Sequence, residues 1–600
     1  MKSPQVPSTR TPGAPPLSAL RQELARLKLD GFIVPRADEH LGEYVPASAE
    51  RLAWLTGFTG SAGFAVVLAT AAAVFTDGRY ILQLAEQTDA ALWQRLHVTE
   101  QPPHTWLAEH ASKNARIGYD PLLISEDGLA RFTEAGLDMV PLSANPIDSV
   151  WADRPGAPAA AVVPHDLRFA GKTSEDKRAD VALLLREAKQ DAAVLTDPAS
   201  IAWLLNIRGN DVPFTPFALS FAVIHSDGAT DWFIDPARLP PATRAWLGNA
   251  VSIADRPALE GALRALTGKT VRVDGGGSPV WFAQQLRAAG AVVVSASDPC
   301  QLPKACKNET EQRGAREAHL RDAVAVCRFL HWLATEAPKG GQTEISAAEA
   351  LLAFRREADG FRGESFPAIS GAAEHGAIIH YRVTPESNRA IKSDEVYLID
   401  SGAQYPDGTT DITRTIWIGS GSAPAELRDR VTRVLQGHIA IATAVFPKGV
   451  CGPHLDALAR RALWQRGLDY DHGTGHGVGS YLSVHEGPVS ISRQARPVPI
   501  APGMILSNEP GFYLQDQYGI RLENLLLACS ADMPGAGKPF LHFETLTLAP
   551  FDRHLLEPAL MTADERGWLD AYHARVLDSV GPALDPAART WLAGACAPIG

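Results

Sequence analysis

The sequence predicts an α/β (α+β) fold in which two related α/β domains precede a larger domain built from two similar copies. Three observations lead to this prediction. Helical segments alternate with short apolar strands through the first half of the chain, which is the order of an α/β domain. One such arrangement occurs twice there. In the second half, two helices joined through a Pro-Lys-Gly turn also occur twice, each time ahead of strands.

Composition and charge narrow the classes of function. The chain has 600 residues, 46% apolar and 21% charged, which is ordinary for a folded globular protein. Its 56 Lys and Arg against 68 Asp and Glu give a net charge of −12, so it offers no overall field for nucleic acid or an anionic membrane. We find no apolar run long enough for a membrane span, no secretory signal, and no CxxC spacing among six cysteines. These features predict a cytoplasmic protein with reduced thiols.

The first residues, 1–16, are rich in proline and serine and are predicted to be a flexible tail. The first domain, 17–155, then opens with a helix at Leu17–Lys28 and a buried strand at Asp30–Val34. Two more strands and the start of a helix follow, which is the α/β order.

The second domain, 156–306, begins after a proline-rich stretch and repeats this order. Its helix is predicted at Ala179–Gln190 and its strand at Asp191–Asp197. The sequence of Ile201–Gly209 then resembles that of Ala53–Gly60 in the first domain. The short match predicts that the two domains are related in build.

The third domain, 307–600, contains the two copies. The helices predicted for them are Lys307–Gly340 and Ile345–Glu357 in the first copy, and Ala425–Val445 and Pro453–Arg466 in the second. Each copy continues into strands, Val396–Gly402 in the first and Met504–Gly511 in the second. Two facing copies would bring the acidic ends of these strands to a shared centre.

Two aspartates lie eleven positions apart, since 411 − 400 = 11. Asp400 ends an apolar strand, a Gly/Pro/Asp-rich turn follows, and Asp411 begins a second β-branched strand. If the strands pair as a hairpin, the two carboxylates converge on one point. The alternative is that Asp400 caps a strand and Asp411 is an ordinary turn residue.

Three histidines, His472, His476 and His485, lie in one glycine-rich stretch. Glycine lets a backbone approach a site closely and leaves neighbouring imidazoles accessible to it. A single histidine in such a place is usually structural, whereas three together favour a functional site.

Two glutamates complete the candidate site. Glu509 follows an apolar strand before a Pro-Gly turn, and Glu523 interrupts the apolar run Ile520–Leu527. A carboxylate inside a buried strand needs a partner charge or a metal. Arg521 is one candidate partner, although its position two residues from Glu523 favours a larger shared cluster.

Together these residues form an oxygen-rich set with one imidazole. The set is Asp400, Asp411, His476, Glu509 and Glu523. Four carboxylates contribute a charge of about −4, which two divalent cations would balance. Such ligands suit Mn²⁺, Co²⁺ or Mg²⁺ better than structural zinc. Two metals can share a water, lower its pKa and polarise a carbonyl, which is the chemistry of amide or ester hydrolysis.

The motifs resemble those of the pita-bread metallopeptidases, the group containing methionine aminopeptidase, prolidase and aminopeptidase P. The stretches DSGAQYPDGTTDITRT, AIIHY, GTGHGVGSYLSVHEGP and NEPGFY are most similar to those of the long, three-domain Xaa-Pro aminopeptidases. The resemblance implies two creatinase-like N-terminal domains, then a pseudo-twofold pita-bread catalytic domain with a C-terminal extension. It implies release of the residue before proline, by a hydroxide bridging two metals that attacks the scissile carbonyl.

The resemblance also implies roles for individual residues. Asp400 and Asp411 would bind one metal, and Asp411, His476, Glu509 and Glu523 the other, so that Asp411 and Glu523 bridge the pair. Glu509 would also assist deprotonation of the bridging water. The expected metals are two divalent ions per subunit, Mn²⁺ foremost, with Co²⁺ or Zn²⁺ as alternatives.

Further residues would act on the substrate. His380 and His485 would orient it, stabilise the tetrahedral intermediate and shuttle protons, and His472 would line the proline pocket. Tyr513 and Arg79 are weaker candidates for substrate binding, with core packing and a surface turn as their respective alternatives. Arg521 would support the carboxylates without binding the metals itself.

The implied partners are peptides with proline in second position and a second copy of the chain in a homodimer; no nucleic acid or membrane partner is predicted. The first alternative function is a prolidase, which cleaves only Xaa-Pro dipeptides. The others are a non-catalytic peptide-binding relative of the same fold and a metal-free relative such as creatinase.

Overall fold

The computed structural model describes residues 14–599, which form two compact units. The first unit comprises the chain up to Pro164 together with Ser174–Pro213 and Phe217–Cys300. The second comprises His165–Thr173, Phe214–Pro216 and the chain from Gln301 onward. Three short segments from the region predicted as the second domain, the last of them 301–306, therefore belong to the second unit.

The tail predicted for residues 1–16 is only partly open to comparison. Residues 1–13 lie outside the described range. Residues 14–16 open a helix, Ala14–Arg26, so here the prediction of a tail is wrong. Pro15 and Pro16 lie in its first turn, where a missing N–H removes no intrahelical hydrogen bond.

The first sheet of the first unit has six strands, in the order Gln94–His97, Ala72–Thr76, Phe64–Leu68, Gly31–Pro35, Arg116–Tyr119 and Asp138–Pro141. Its central strand, Gly31–Pro35, is antiparallel to one neighbour and parallel to the other. Phe32 and Val34 enter one hydrophobic core and Ile33 enters another, because both faces of the sheet are covered. The accompanying helices are Ala14–Arg26, Arg51–Thr56, Ile81–Gln87, Pro103–His110, Glu126–Glu134 and Pro146–Val150.

The second sheet has the order Val251–Ala254, Thr230–Phe233, Phe221–His225, Ala192–Leu195, Thr270–Val273 and Val292–Ser295. Its central strand, Ala192–Leu195, is again antiparallel to one neighbour and parallel to the other. The shared strand order and directions confirm that the two N-terminal α/β folds are related. The larger helices of this part are Ser174–Glu187, Pro198–Leu205, Pro241–Leu247, Ala258–Arg264 and Val280–Ala288.

The second unit opens with the helices Gln301–Ala305 and Glu309–Glu336. Asn308 starts the long helix with a capping box, since its side chain accepts from the backbone of Glu311 while the Glu311 carboxylate accepts from the backbone of Asn308. The helix pairs of the two copies are Glu309–Glu336 with Glu344–Arg356, and Ala425–Ala442 with Gly452–Trp464. The predicted repetition of helix pairs is therefore present.

Each copy contributes an antiparallel sheet. The first sheet consists of Ile369–Ala372, Glu395–Ser401 and Ile412–Ile418, and the second of Val445–Pro447, Phe540–Thr545, Asn524–Ala531 and Ile505–Asn508. Short strands complete the unit: Gly363–Glu364 with Ala403–Tyr405 and Gly408–Thr409, Gly475–His476 with Ser490–Ile491, and Gly511–Leu514 with Tyr518–Arg521.

The helix predicted to run to Val445 ends earlier, at Ala442. Val445–Pro447 instead forms an edge strand paired with residues 540–542. Pairing with a neighbouring strand overrides the helical pattern here. Pro447 has no N–H and so can donate a hydrogen bond neither to a helix nor to a sheet.

The C-terminal helices Ala563–Val580 and Pro586–Ala595 pack on the core of the second unit. Leu569, Tyr572 and Val576 carry this contact and are buried. No helix within residues 14–599 has the length and apolar character that crossing a lipid bilayer requires.

Candidate metal centre

The first two acidic residues lie on a hairpin, as their spacing predicts. Glu395–Ser401 and Ile412–Ile418 pair in antiparallel register, with Asp400 opposite Thr413. Asp411 immediately precedes the second strand. Both carboxylates are buried, with Asp400 8% and Asp411 4% exposed.

Glu523 lies at a break between two strands, which corrects the prediction of one strand across Ile520–Leu527. Tyr518–Arg521 pairs in a small two-stranded ribbon, whereas Asn524–Ala531 belongs to the sheet of the second copy. The change of sheet aims Glu523 at the hairpin. Its N–H donates to the carbonyl of Thr413 (3.1 Å), and the Thr413 hydroxyl donates to its Oε2 (2.7 Å).

His476 is oriented by its own backbone. Its Nδ1 donates to the carbonyl oxygen of Gly477 (3.0 Å), which turns Nε2 toward the acidic residues. Nε2 lies 3.5 Å from Asp411 Oδ2 and 3.6 Å from Glu509 Oε1. The Ser507 hydroxyl accepts from the His476 N–H (2.9 Å) and donates to Glu509 Oε1 (3.2 Å).

The five predicted ligands therefore lie in one region of the structure, although they belong to separate stretches of the chain. Ligand atoms of Asp411, His476 and Glu523 lie within 4.8 Å of one another. Glu509 joins them through His476, and Asp400 lies on the same hairpin as Asp411.

Arg521 connects this cluster to the aromatic side of the site. Its Nη2 donates to Asp400 Oδ2 (2.6 Å), its Nε to the Thr413 hydroxyl (3.2 Å) and its Nη1 to the Tyr513 hydroxyl (2.8 Å). The Tyr513 hydroxyl in turn donates to His472 Nε2 (2.8 Å), because His472 Nδ1 donates to the Gly473 carbonyl. Within residues 14–599, Arg521, a predicted support of the carboxylates, forms its ion pair with one carboxylate, that of Asp400.

The carboxylates perturb one another strongly. Burial, with the charge of Asp411 adding to it and Arg521 opposing it, raises the pKa of Asp400 to about 6. Burial and the charges of Asp411, Glu509 and Asp400 raise the pKa of Glu523 well above its ordinary value. The pKa of Glu509 is also raised, with burial the first cause. These shifts have the sign expected of acidic groups that need positive charge nearby.

The pKa of the His476 imidazole is raised as well, here in spite of burial. Burial disfavours its protonated form, but the hydrogen bond to Asp411 and the charge of Glu509 outweigh burial and raise the pKa of His476 to about 9. In addition, Asp400 Oδ1 is buried and has no hydrogen-bond donor among the described residues. An oxygen-rich, negatively charged cluster with an unpaired carboxylate oxygen fits cations of the Mn²⁺ type.

The remaining predicted site residues occupy three different settings. The ring of His485 stands 4.3 Å from that of His476, centroid to centroid, at 84°. His380 is half-buried in a turn after the short helix Ala373–Ala377. Arg79 lies in the first unit, where Nη2 pairs with Asp77 Oδ2 (2.7 Å), the contact expected of a surface turn. The roles of His380 and Arg79 stay predictions.

Three residues with clear roles in this geometry were missed. Thr413 and Thr415 hold Glu523 and the backbone of Arg521, and their two-residue spacing from Asp411 was a usable signal because alternate strand residues share a face. Buried Glu344 accepts from His375 Nδ1 (2.8 Å) and from the N–H of Ala372 (2.9 Å). It thereby fixes the segment leading to His380, and no sequence pattern marks it.

Comparison with known proteins gives the family. The model of metallopeptidase family M24 matches residues 313–528, and that of the C-terminal region of peptidase M24 matches 539–599. Creatinase/prolidase N-terminal domain models match 16–149 and 153–311. A probable Xaa-Pro aminopeptidase P from Aspergillus fumigatus is 41% identical over 97% of this chain and 92% of its own length.

The chain belongs to metallopeptidase family M24.

Other M24 relatives agree over the same length. Aminopeptidase P1 from Lotus japonicus is 37% identical over 97% of this chain and 99% of its own. The crystal structure of X-prolyl aminopeptidase from Caenorhabditis elegans, described as a cytosolic enzyme with a di-nuclear active site, has a TM-score of 0.92 and 35% identity, covering 97% of this chain and 99% of that one. The predicted resemblance and the fold of N-terminal creatinase domains followed by a pita-bread domain are confirmed.

A more distant structure agrees in fold alone. The Xaa-Pro dipeptidase from Bacillus anthracis is 21% identical with a TM-score of 0.52, and the match covers 63% of this chain and 99% of that one.

We expect Asp411→Ala to lose metal while the fold persists. The substitution removes one of four carboxylates that repel each other, so thermal stability without metal should hold or rise. Metal content by mass spectrometry should fall from two ions to fewer than one per chain. Exposed Asp359→Ala is the matched control. Two bound ions in Asp411→Ala would reject the site.

We expect Arg521→Lys to weaken Mn²⁺ binding by roughly 10–100-fold, since a single ammonium nitrogen replaces the three guanidinium nitrogens that separately reach Asp400, Thr413 and Tyr513. Calorimetric titration measures the change. Arg493→Lys, at an exposed ion pair with Asp469, should leave affinity unaltered. An Arg521→Lys affinity equal to that of the unmodified protein would show that the guanidinium does not support the carboxylates.

Proposed function

We propose that this chain is a metal-dependent aminopeptidase that releases the N-terminal residue from peptides with proline in second position. The observation that carries the proposal is the convergence of four carboxylates and one imidazole in one buried cluster. The proposal is supported by relatives of the same length named Xaa-Pro aminopeptidase P and aminopeptidase P1. It is also supported by the di-nuclear site in the description of the Caenorhabditis elegans structure.

The family resemblance assigns the ligands. Asp400, Asp411, His476, Glu509 and Glu523 would together hold two cations, with Asp411 and Glu523 shared between them. We propose Mn²⁺ for both positions, with Co²⁺ or Zn²⁺ as alternatives, because oxygen donors with one imidazole suit such ions. When bound, two such cations lower the pKa of a water molecule and polarise the scissile carbonyl.

The chain's own groups move the protons. Glu509 takes a proton from the attacking water, and the proton then passes to the proline nitrogen as the C–N bond breaks. His485, beside His476, and His380 donate hydrogen bonds to the oxygen that gains charge in the tetrahedral intermediate. Each such acid–base group typically contributes about 10²–10⁴-fold to the rate.

The preference for proline follows from its amide. An Xaa-Pro bond has no N–H to offer a protease that grips an extended backbone. His472 and Tyr513 lie with ring centroids 5.4 Å apart at 70°, and their hydrogen bond fixes both rings. We assign them to the wall that receives the pyrrolidine ring.

The wider organisation is also part of the proposal. We assign domains to 17–155, 156–306 and 307–600 and propose that the chain forms a homodimer. We also propose a cytoplasmic location, which the cytosolic description of the Caenorhabditis elegans enzyme supports. Arg79 stays a proposed substrate-binding residue on the family resemblance alone.

We expect activity on Xaa-Pro-Xaa peptides to disappear on chelation and to return with Mn²⁺. Release of the first residue is followed by chromatography, with addition of Mg²⁺ or Ca²⁺ as the comparison. Activity that survives complete removal of metal, verified by mass spectrometry, would contradict the proposal.

The choice between aminopeptidase and prolidase rests on substrate length. We expect kcat/KM for Xaa-Pro-Xaa to exceed that for the matching Xaa-Pro dipeptide, measured at saturating Mn²⁺. A dipeptide cleaved far faster would make the chain a prolidase.

A further inference from the structure

The loop 477–489, here the His485 loop, is closed at its base by backbone hydrogen bonds. The N–H of Gly477 donates to the carbonyl of Val489 (3.0 Å), and that of Glu486 donates to the carbonyl of Gly477 (2.8 Å). His485 is the residue before Glu486. The position of its imidazole therefore depends on how firmly Glu486 is held.

Glu486 is held by two lysines. Its Oε1 lies 2.6 Å from Lys307 Nζ and its Oε2 lies 3.2 Å from Lys304 Nζ. All three residues are at most 4% exposed. A buried carboxylate must be paired, and one lysine suffices for its charge. A second lysine, on the other oxygen, also fixes the plane of the carboxylate.

The backbone of Lys307 is bonded to the residue that leads into the strand before a proposed metal ligand. The N–H of Lys307 donates to the carbonyl of Gly503 (2.9 Å). Gly503 lies just before the strand Ile505–Asn508, which ends next to Glu509. The ion cluster thus links the backbone beside His485 to the strand that ends next to Glu509.

The opposite side of the loop has a separate anchor. The side-chain amide of Gln404 donates to the carbonyls of Leu482 (2.7 Å) and Phe214 (3.0 Å), and its oxygen accepts from the Thr409 hydroxyl (2.8 Å). Leu482 is three residues before His485. The His485 loop is therefore fixed on both flanks of the histidine.

We propose that Lys304, Lys307 and Glu486 are positioning residues that hold His485 at the reacting centre. The inference rests on the proposed function, since it assumes that His485 acts on the substrate. In the contacts described above, the side chains of these three residues pair with one another and not with the cluster's ligand atoms. Their effect on the rate passes through the histidine, where a shift of about 1 Å can cost on the order of 10²-fold.

The test is a double-mutant cycle in kcat with an Xaa-Pro-Xaa peptide at saturating Mn²⁺. Lys307→Met leaves Glu486 paired with Lys304, so the chain should fold. We expect it to lower kcat by about 10–100-fold with two metal ions still bound and KM little changed. Adding Lys307→Met to His485→Ala should lower kcat no further, because the positioned group is gone.

Lys304→Met is the second variant and takes the place of Lys307→Met should that variant not fold. We expect the same decrease in kcat. Lys177→Met is the matched control, because Lys177 is equally buried but lies in the first unit, bonded to Asn206 Oδ1 (2.8 Å). It should reduce thermal stability without altering kcat. Lys307→Arg, which retains the charge, should recover part of the rate.

Two results would overturn the proposal: additive losses of kcat in the double variant, or loss of bound metal in Lys307→Met. Both results are distinguishable from failure of the proposed function. If the proposed function were wrong, the unmodified protein and Lys177→Met would themselves leave Xaa-Pro-Xaa peptides uncut.

Discussion

Mutual repulsion among buried carboxylates is the constraint on which the rest of the second unit depends. Asp400, Asp411, Glu509 and Glu523 are brought together where water is largely excluded. Their pKa shifts record how unfavourable that arrangement is without added positive charge. One arginine, Arg521, meets part of this requirement and leaves room for cations to meet the remainder. The negative charge of this cluster therefore makes it a site for cations.

The two-copy architecture explains how such a cluster can be assembled. The first copy contributes the hairpin with Asp400 and Asp411, and the second contributes Glu509 at a strand end and Glu523 at a change of sheet. Thr413 joins the two contributions, because its hydroxyl accepts from Arg521 and donates to Glu523. Neither copy has enough ligands alone, so the site depends on their packing.

The sequence predicted the parts of this arrangement that local patterns encode. The turn between two β-branched strands identified the hairpin, and the run of histidines among glycines identified the second stretch. Hydrophobic periodicity could not show the break before Glu523, because an apolar run looks the same whether it stays in one sheet or passes to another. It also could not find Lys304 and Lys307, since lysines near the start of an amphipathic helix are ordinarily exposed and only tertiary packing buries them.

The glycines between the histidines show how the local sequence sets the chemistry. His472 and His476 are each followed by glycine, and each donates Nδ1–H to the carbonyl of that glycine. This bond fixes the orientation of each ring, so that Nε2 faces Tyr513 in one case and the acidic cluster in the other. Side chains at Gly475 and Gly477 would collide with the backbone, with a Cβ 2.0 Å from the Ser507 oxygen and 2.2 Å from the Glu486 oxygen respectively. The glycines therefore bring the strand that ends next to Glu509 and the His485 loop against His476, so that close packing and ring orientation follow from the same few residues.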